Sequence, residues 1–570
     1  MSPDTHEAKD SMDILALTAP GTWQTVFEGP AGKALEASLP RFMLLRRWFG
    51  SKARMIREVA IVEAIPILPA ACLAMLRVEY TEGEGETYVL PAGFVTGESA
   101  QALIQDRPAA VIARLATPHE TGILYDAVWD PGFCQALLQT IAEGRQYHGK
   151  SGDVVASPAE GLPRLRGDAS QPLPPVLLGV EQSNTSVRYG DRLILKLYRR
   201  LEAGVNPDQE IGQFLTEKAG FANTPPLAGV LEFRRREPAG AEPVTRVEPI
   251  TRVEPITLAL LQGFVPNQGD AWRYTLDSLA GYFAVIETQG AAAAGSPGLP
   301  EAGLLELVQG EVPVDAEQLI GPYLGSARLL GRRTAELHLA LASDPADPVF
   351  APEPFTPEFQ GYLRQSMRGL TDRIMRLLRT RFDTLSQTNR PDALRVLQLE
   401  EQIGARFDAL LAGPIHTMRS RIHGDYHLGQ VLYTGDDFMI IDFEGEPARA
   451  LSERKMKRSP LQDVAGMLRS FHYAAYAAYF TQTQDGAPSP ELESWAQLWH
   501  RWVSVAYLKT YLEVAGGAAF LPASADELKL LLDVYLVEKA VYELGYELNN
   551  RPSWARIPLQ GILQSAQASQ

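Results

Sequence analysis

The residues best suited to chemistry lie between Arg421 and Pro447. His423-Gly424-Asp425 is followed by Gln430, and then by two apolar runs, Val431–Tyr433 and Phe438–Ile441. Thr434-Gly435-Asp436-Asp437 separates the runs as a turn, so they read as a hairpin. That hairpin delivers Asp442-Phe443-Glu444-Gly445-Glu446 at its far end. A carboxylate at Asp425 can accept the proton of a substrate hydroxyl. Gln430 and Asp442 offer hard oxygen ligands to Mg2+, with Glu444 as a further carboxylate on the metal side. Phosphoryl transfer needs this division of labour: a positioned nucleophile and neutralised phosphate charge. Aspartate is also an ordinary turn residue. The spacing to Gln430 and to the DFEGEP segment is what favours chemistry over a plain turn. His423 reads as a brace of the loop, and His427 as either a structural residue or one at the edge of the substrate.

Upstream, Lys196 lies inside the apolar strand Leu193–Tyr198. A buried ammonium is costly unless it meets an anion, and ATP phosphates or a helix carboxylate would both serve. Glu210, on the following helical segment, is the leading partner, with Glu202 and Asp208 nearby. No glycine-rich phosphate loop is present. In its place Glu181-Gln182-Ser183-Asn184-Thr185-Ser186 joins two strands, where backbone N–H groups and hydroxyls of Ser183, Asn184 and Thr185 can cover phosphates. Gln262-Gly263-Phe264-Val265 closes the last strand of this region, and its resemblance to the hinge position of kinases implies that backbone groups of Gln262, Phe264 and Val265 hydrogen-bond adenine. Near the C-terminus, Glu538, Tyr542 and Tyr546 recur at steps of four with Glu543 adjoining, which places them on one helical face. Carboxylates that hold hydroxyls and rings that stack on sugar faces are the usual furniture of a carbohydrate site. An amphipathic helix with inward tyrosines gives the same spacing.

His423-Gly424-Asp425 with Gln430 and Asp442 resembles the catalytic loop and metal motif of aminoglycoside-phosphotransferase-type kinases, with Gln430 where Asn is usual. Longer strings resemble maltokinases: HGDYHLGQVL, DFEGEPARALSERKMKRSPLQDVAGMLRSF, RRTAELHLAL, EKAVYELGYELNNRPSWARIPLQGI and RRWFGSK. The likeness runs from about Leu39 to Ile562. It implies an α+β, bilobal protein-kinase-like fold with an N-terminal β-rich cap domain and a mainly helical C-lobe. It also implies ATP and Mg2+ as cofactors and maltose, or a similar small sugar, as the acceptor. Maltokinases phosphorylate maltose at its anomeric hydroxyl, and some are fused to trehalose synthase, which makes that enzyme a further expected partner. The resemblance favours sugar contact for His427, Glu538, Tyr542, Glu543 and Tyr546. Two alternatives remain: a related sugar kinase such as a glucosamine kinase, and a non-catalytic kinase-like partner of trehalose synthase. Retention of Lys196, Asp425, Gln430 and Asp442 together argues against the second.

These residues need elements to hold them. Residues 1–20 read as a mobile leader, and 21–110 as a cap domain with strands over Val59–Ile67, Cys72–Tyr80 and Thr87–Phe94 after a helix over Ala34–Arg47. Residues 111–265 read as an intermediate, β-rich nucleotide-binding lobe. Within and before it, Ala109–Leu115 and Gly132–Glu143 look helical, and Ser151–Pro175 looks like a linker. The tandem TRVEPI at 245–256 is too short for a solenoid and reads as a duplication in a strand–loop insert. Residues 266–570 form the helical C-lobe, with spacing for helices over Trp272–Thr288, Tyr323–Ser343, Pro357–Thr384, Pro391–Leu411, Ser494–Ala515 and Ala525–Asn549. An Ala/Gly-rich break at 289–300 reads as a loop.

Composition excludes other classes. With 53 Lys plus Arg against 69 Asp plus Glu, the net charge of −16 disfavours binding to nucleic acid or to an anionic membrane. The cluster Arg46–Lys52 and the arginines of Arg364–Arg381 read as solvated or salt-bridged faces. Cys72 and Cys134 are the two cysteines and lack metal-ligand spacing, which fits a reducing compartment. The acidic start MSPDTHEAKDSMD has no apolar core, and no apolar run reaches the roughly 18 residues of a membrane helix, so the expected address is the cytoplasm.

Overall fold

The computed structural model describes residues 14–178, 184–236, 255–288, 298–482 and 489–567. Most of the expected leader, Ser183, most of the TRVEPI repeat and most of the 289–300 break lie outside the described residues. The chain divides into two units, one of Met1–Glu210 with Pro226–Phe264 and one of Ile211–Pro225 with Val265–Gln570.

The first unit holds two seven-stranded sheets. One runs in the order Ala16–Thr18, Val111–Ala116, Thr121–Asp126, Glu86–Thr96, Ala71–Tyr80, Ile56–Leu68, with Arg200–Leu201 pairing onto Glu86–Thr96. The helical expectation for Ala109–Leu115 is overturned, because Val111–Ala116 is a strand of this sheet. Ile112, Ala113 and Leu115 are buried in its core, and tertiary burial outweighs the helix preference of alanine. The helix Gly29–Leu44 covers the same core through Leu35, Leu39, Phe42 and Met43.

The second sheet orders Gln146–His148, Gly152–Pro158, Leu227–Arg235, Ile256–Gly263, Leu193–Tyr198, Asn184–Tyr189 and Pro175–Leu178, all antiparallel. Gly152–Pro158 falls inside the expected linker. Val154 and Ala156 are buried, and their strand pairs with Leu227–Arg235, so the glycine and proline content marks the strand's surroundings rather than a break. Lys196 sits mid-sheet, opposite Ser186 on one side and Leu260 on the other.

The second unit is helical apart from two small two-stranded sheets among its described residues. The expected helices form, with Pro391–Leu411 divided at Leu399 into Arg390–Gln398 and Glu400–Asp408. Leu461–Gln482 is a helix that periodicity did not reveal. It is buried nearly all round from Leu461 to Tyr479, so it has no polar stripe to set a 3.6-residue pattern. Ser524 starts the helix Ala525–Asn550 by accepting from the Glu527 N–H, a capping arrangement that leads into a stripe of Leu531, Leu532, Tyr535 and other core side chains. No described helix is long and apolar enough to cross a membrane.

Candidate active site

The hairpin Val431–Tyr433/Phe438–Ile440 forms in register, with Tyr433 opposite Phe438. At its exit Asp442 has φ 67, the one non-glycine residue in the left-handed region among the described residues. Aspartate tolerates that region better than bulky residues do, and such a conformation persists only where the surroundings enforce it. Here they do. The Ile441 N–H donates to the Gln430 carbonyl at 3.0 Å, and His423 Nε2 donates to the Ile441 carbonyl at 2.9 Å. His423 thereby couples the loop before the hairpin to the turn after it, and its Nδ1 accepts from the Asp425 N–H at 3.4 Å. Asp442 and Glu444 bring carboxylate oxygens within 4.8 Å of each other.

Asp463, missed by sequence reading, anchors the loop from below. Its two oxygens accept from the backbone N–H of His423 at 2.7 Å and of Gly424 at 2.9 Å, and Oδ2 also accepts from His338 Nε2 at 3.1 Å. His338 Nδ1 meets the Tyr511 hydroxyl at 3.0 Å, so three helices fix one loop. The contact requires glycine at 466, where a Cβ would lie 2.6 Å from the Tyr426 carbonyl oxygen. The buried, almost unpatterned helix that carries Asp463 explains why this residue gave no signal.

Around Asp425 a pocket is lined by Glu446, Gln462, Asp463, Glu538, Lys539 and Tyr542. Lys539 Nζ lies 3.3 Å from Asp425 Oδ1. Burial acts to raise the Asp425 pKa, but Lys539, His427 and His423 outweigh it and hold the carboxyl below its ordinary range. Burial likewise opposes the Lys539 charge, and Asp425, Glu446 and Glu543 override it, so its pKa stands above normal. Burial pushes Glu446 above the usual carboxylate range against the pull of Lys539 and Arg449. Burial lowers His427, which stands 3.9 Å from Asp425 and uses Nδ1 to accept from the Gly429 N–H.

The expected sugar face of the C-terminal helix divides. Glu538 and Tyr542 line the pocket, with Glu538 paired to Arg449 at 3.0 Å. Glu543 points to Arg469 at 2.6 Å, and Tyr546 is 47% exposed one turn farther along. A step of four keeps residues on one side of a helix but moves them along the axis, which carries Tyr546 past the pocket. Lys539 and Arg449 are functional candidates outside the pattern of carboxylates and rings. The available signal was a lysine set between Val537, Ala540 and Val541 on a buried face.

In the first unit, Lys196 Nζ lies 3.0 Å from Asp208 Oδ2, a carboxylate that sequence reading ranked behind Glu210. Asp208 occupies the first turn of the helix Pro207–Gln213, is 1% exposed and also accepts from the Tyr198 hydroxyl at 2.9 Å. The Thr185 hydroxyl accepts from Arg199 Nε at 2.8 Å, and Arg199 pairs with buried Asp126 at 2.8 Å. The Thr185 hydroxyl thus supports the internal ion pair of Arg199 and Asp126. Asn184 is buried beside it in the same strand. The Phe264 N–H donates to the Arg192 carbonyl at 2.8 Å, while Gln262 pairs with Ile194 within the sheet. In the second unit the Val265 carbonyl accepts from Asn267 Nδ2 at 2.8 Å.

Comparison with known proteins places two family matches on the chain. Residues 42–130 match the maltokinase N-terminal cap domain, and residues 287–502 match the phosphotransferase enzyme family. Glucosamine kinase of Streptacidiphilus jiangxiensis is 24% identical over 386 residues, covering 66% of this chain and 70% of that protein. Glucosamine kinase of Mycolicibacterium smegmatis is 29% identical over 138 residues, 24% of this chain and 32% of that one. A solved glucosamine kinase in complex with glucosamine, ADP and inorganic phosphate superposes with a TM-score of 0.56 at 18% identity, over 93% of this chain and 98% of that one. The fold is therefore the mixed α/β, kinase-like fold of these phosphotransferases.

Proposed function

Because this chain joins a maltokinase-type cap domain to a domain of the phosphotransferase enzyme family, we propose that it phosphorylates maltose with ATP, giving maltose 1-phosphate and ADP. The observation that carries the reading is Asp425, held ionised by Lys539 in a pocket lined with polar side chains. In this mechanism a sugar hydroxyl enters the pocket and its proton passes to Asp425. Its oxygen bonds to the γ-phosphorus of ATP, and the bond from that phosphorus to the β–γ bridging oxygen breaks. Asp463 and His423 keep the Asp425 loop in place, so little reorganisation is left for the reactive moment. Lys196, oriented by Asp208, is assigned to the nucleotide phosphates.

The donor set suits a hard cation. Asp442 and Glu444 present oxygens within 4.8 Å of each other, and the sequence motif offers the Gln430 amide as a further oxygen ligand. Mg2+ held there would neutralise phosphate charge when bound. A second reading, phosphorylation of glucosamine, is supported by the likeness to glucosamine kinases. A coupled ADP-release assay across maltose, monosaccharides and amino sugars tests both. Sugar-dependent release fastest with maltose supports the first reading, fastest release with glucosamine replaces it with the second, and ATP turnover independent of every sugar defeats both.

A further inference from the structure

The lining of the pocket around Asp425 is rich in acceptors: among its charged groups Asp425, Glu446, Asp463 and Glu538 stand against Lys539. Most of them are already engaged. Asp425 faces Lys539 at 3.3 Å, Glu538 faces Arg449 at 3.0 Å, and Asp463 takes two backbone N–H groups and His338. Two oxygens are not. Glu446 is 5% exposed, with Oε2 3.4 Å from Arg449 Nε, while its buried Oε1 has no hydrogen-bond partner among the described residues. The Tyr542 hydroxyl is near enough to favour the ionised form of Glu446, yet no donor stands in bonding geometry to Oε1. Gln462 Oε1 is likewise buried without a partner. A buried acceptor in this state carries a desolvation penalty that a donor from a ligand removes. Both oxygens have firm supports. Gln462 directly precedes Asp463, which holds the backbone N–H groups of His423 and Gly424 just before Asp425. Arg449 ties the Glu446 carboxylate to Glu538 on the C-terminal helix.

We propose that Glu446 and Gln462 are specificity-determining residues that bind hydroxyls of the acceptor sugar and so fix which hydroxyl faces Asp425. The inference rests on the sugar-kinase reading above and deepens it. One hydroxyl donates to Asp425, the group that takes its proton, and two further hydroxyls of the same sugar donate to Glu446 Oε1 and Gln462 Oε1. Three contacts orient a rigid ring, whereas a single contact at Asp425 would leave it free to turn another hydroxyl towards the base. Any sugar with neighbouring hydroxyls can make them, so the assignment holds for maltose and glucosamine alike. A ligand that lacks one of these hydroxyls leaves a buried acceptor empty, which is how a polar pocket rejects a close analogue.

The test is a scan of kcat/KM in the full chain, using the faster acceptor of maltose and glucosamine and its single-deoxy analogues, each lacking one hydroxyl. Apart from the analogue without the reacting hydroxyl, two are expected to be disfavoured by the wild type. The one that empties Glu446 loses about tenfold to a hundredfold, and the one that empties Gln462 about threefold to tenfold, because a bond to a charged acceptor is the stronger. Gln462→Met and Glu446→Gln keep the length of each side chain. The first is expected to bring its ratio of parent sugar to analogue down to about one, and the second to lower the other ratio about threefold or more, each leaving its neighbour's ratio in place. Because every ratio compares two sugars on one protein, a general loss of rate cancels. Calorimetric binding of the same sugars gives the ratios without turnover, and each variant reads its own contact, so one that fails to fold leaves the other decisive. Variants that slow the parent sugar and every analogue by the same factor, or a wild type indifferent to each hydroxyl except the reacting one, overturn the inference and leave the sugar-kinase reading standing. Absence of sugar-dependent ADP release from the wild type overturns that reading and the inference with it.

Discussion

Each unit of the chain holds a lysine–aspartate pair, and the two aspartates are held very differently. Asp208 is 1% exposed and takes Lys196 at 3.0 Å together with the Tyr198 hydroxyl at 2.9 Å. Asp425 meets Lys539 at the longer distance of 3.3 Å, and both side chains are 19% exposed. An aspartate closed to solvent and supplied with donors is a fixed post that aims its lysine. An aspartate whose charged contacts are long, Lys539 at 3.3 Å and His427 at 3.9 Å, keeps lone pairs for an incoming hydroxyl. On the proposed function, the lysine is the working group of the first pair and the aspartate that of the second.

The largest expected effect follows from that assignment. Asp425→Asn keeps the shape of the loop but removes the proton acceptor, so kcat is expected to fall by about 10²–10⁴-fold with an unchanged circular-dichroism spectrum. A folded Asp425→Asn protein with near-normal turnover would remove the catalytic reading. Lys196→Met is expected to act on the other substrate: the KM for ATP rises about tenfold or more while the KM for sugar stays put, since a charged hydrogen bond is worth about 1.5–3 kcal/mol. If both constants move together, the two pairs do not divide the labour as described.

Thr185 marks where the sequence and the fold part company. Its hydroxyl looked like a phosphate ligand because Ser183-Asn184-Thr185 sits between two strands where a phosphate loop belongs. In the structure it satisfies Arg199, whose guanidinium is 1% exposed and bound to Asp126 from a distant part of the chain. No local pattern announces a partner so far away in sequence. Thr185→Val is accordingly expected to cost about 1–3 kcal/mol of stability, read as a lower urea midpoint with the same slope, and to leave the KM for ATP unchanged. A large change in that KM with no loss of stability would restore the phosphate reading.

The same contrast explains what was legible. The hairpin, its turn and the long amphipathic helices announce themselves through alternation and 3.6-residue spacing. Asp463 and Gly466 do not, because a helix buried on all sides has no period to read, and their importance lies in what they touch: two N–H groups and a carbonyl of a loop far upstream. Val111–Ala116 was misread for the complementary reason, since its alanines favour a helix until the sheet buries them. Lys539 carries no carbohydrate signature in the sequence, since carboxylates and rings are what mark a sugar site there. The pairing with Asp425 depends on how the C-terminal helix is rotated, which is a tertiary fact.

The smallest expected effect sharpens the second pair. Asp425 has its pKa below the ordinary value, so ionised Asp425 contributes stability above the unfolded-state pKa near 3.9, and that contribution is lost as pH falls through the folded value. For catalysis the same shift keeps the base ionised on the acid side, so the acid limb of kcat/KM lies below the usual carboxylate range. Burial pushes the other way, and Lys539 is the strongest of the groups that oppose it. Removing that ammonium in Lys539→Met leaves His427 and His423 against burial, and the acid limb is expected to move upward by about one pH unit, the equivalent of about 1.4 kcal/mol. Lys539→Arg restores the charge and should return the limb towards its original place. An acid limb that stays fixed in Lys539→Met would mean that the lysine does not hold Asp425 ionised. The two pairs would then differ only in exposure, and the division between an aiming aspartate and a reacting one would lose its electrostatic basis.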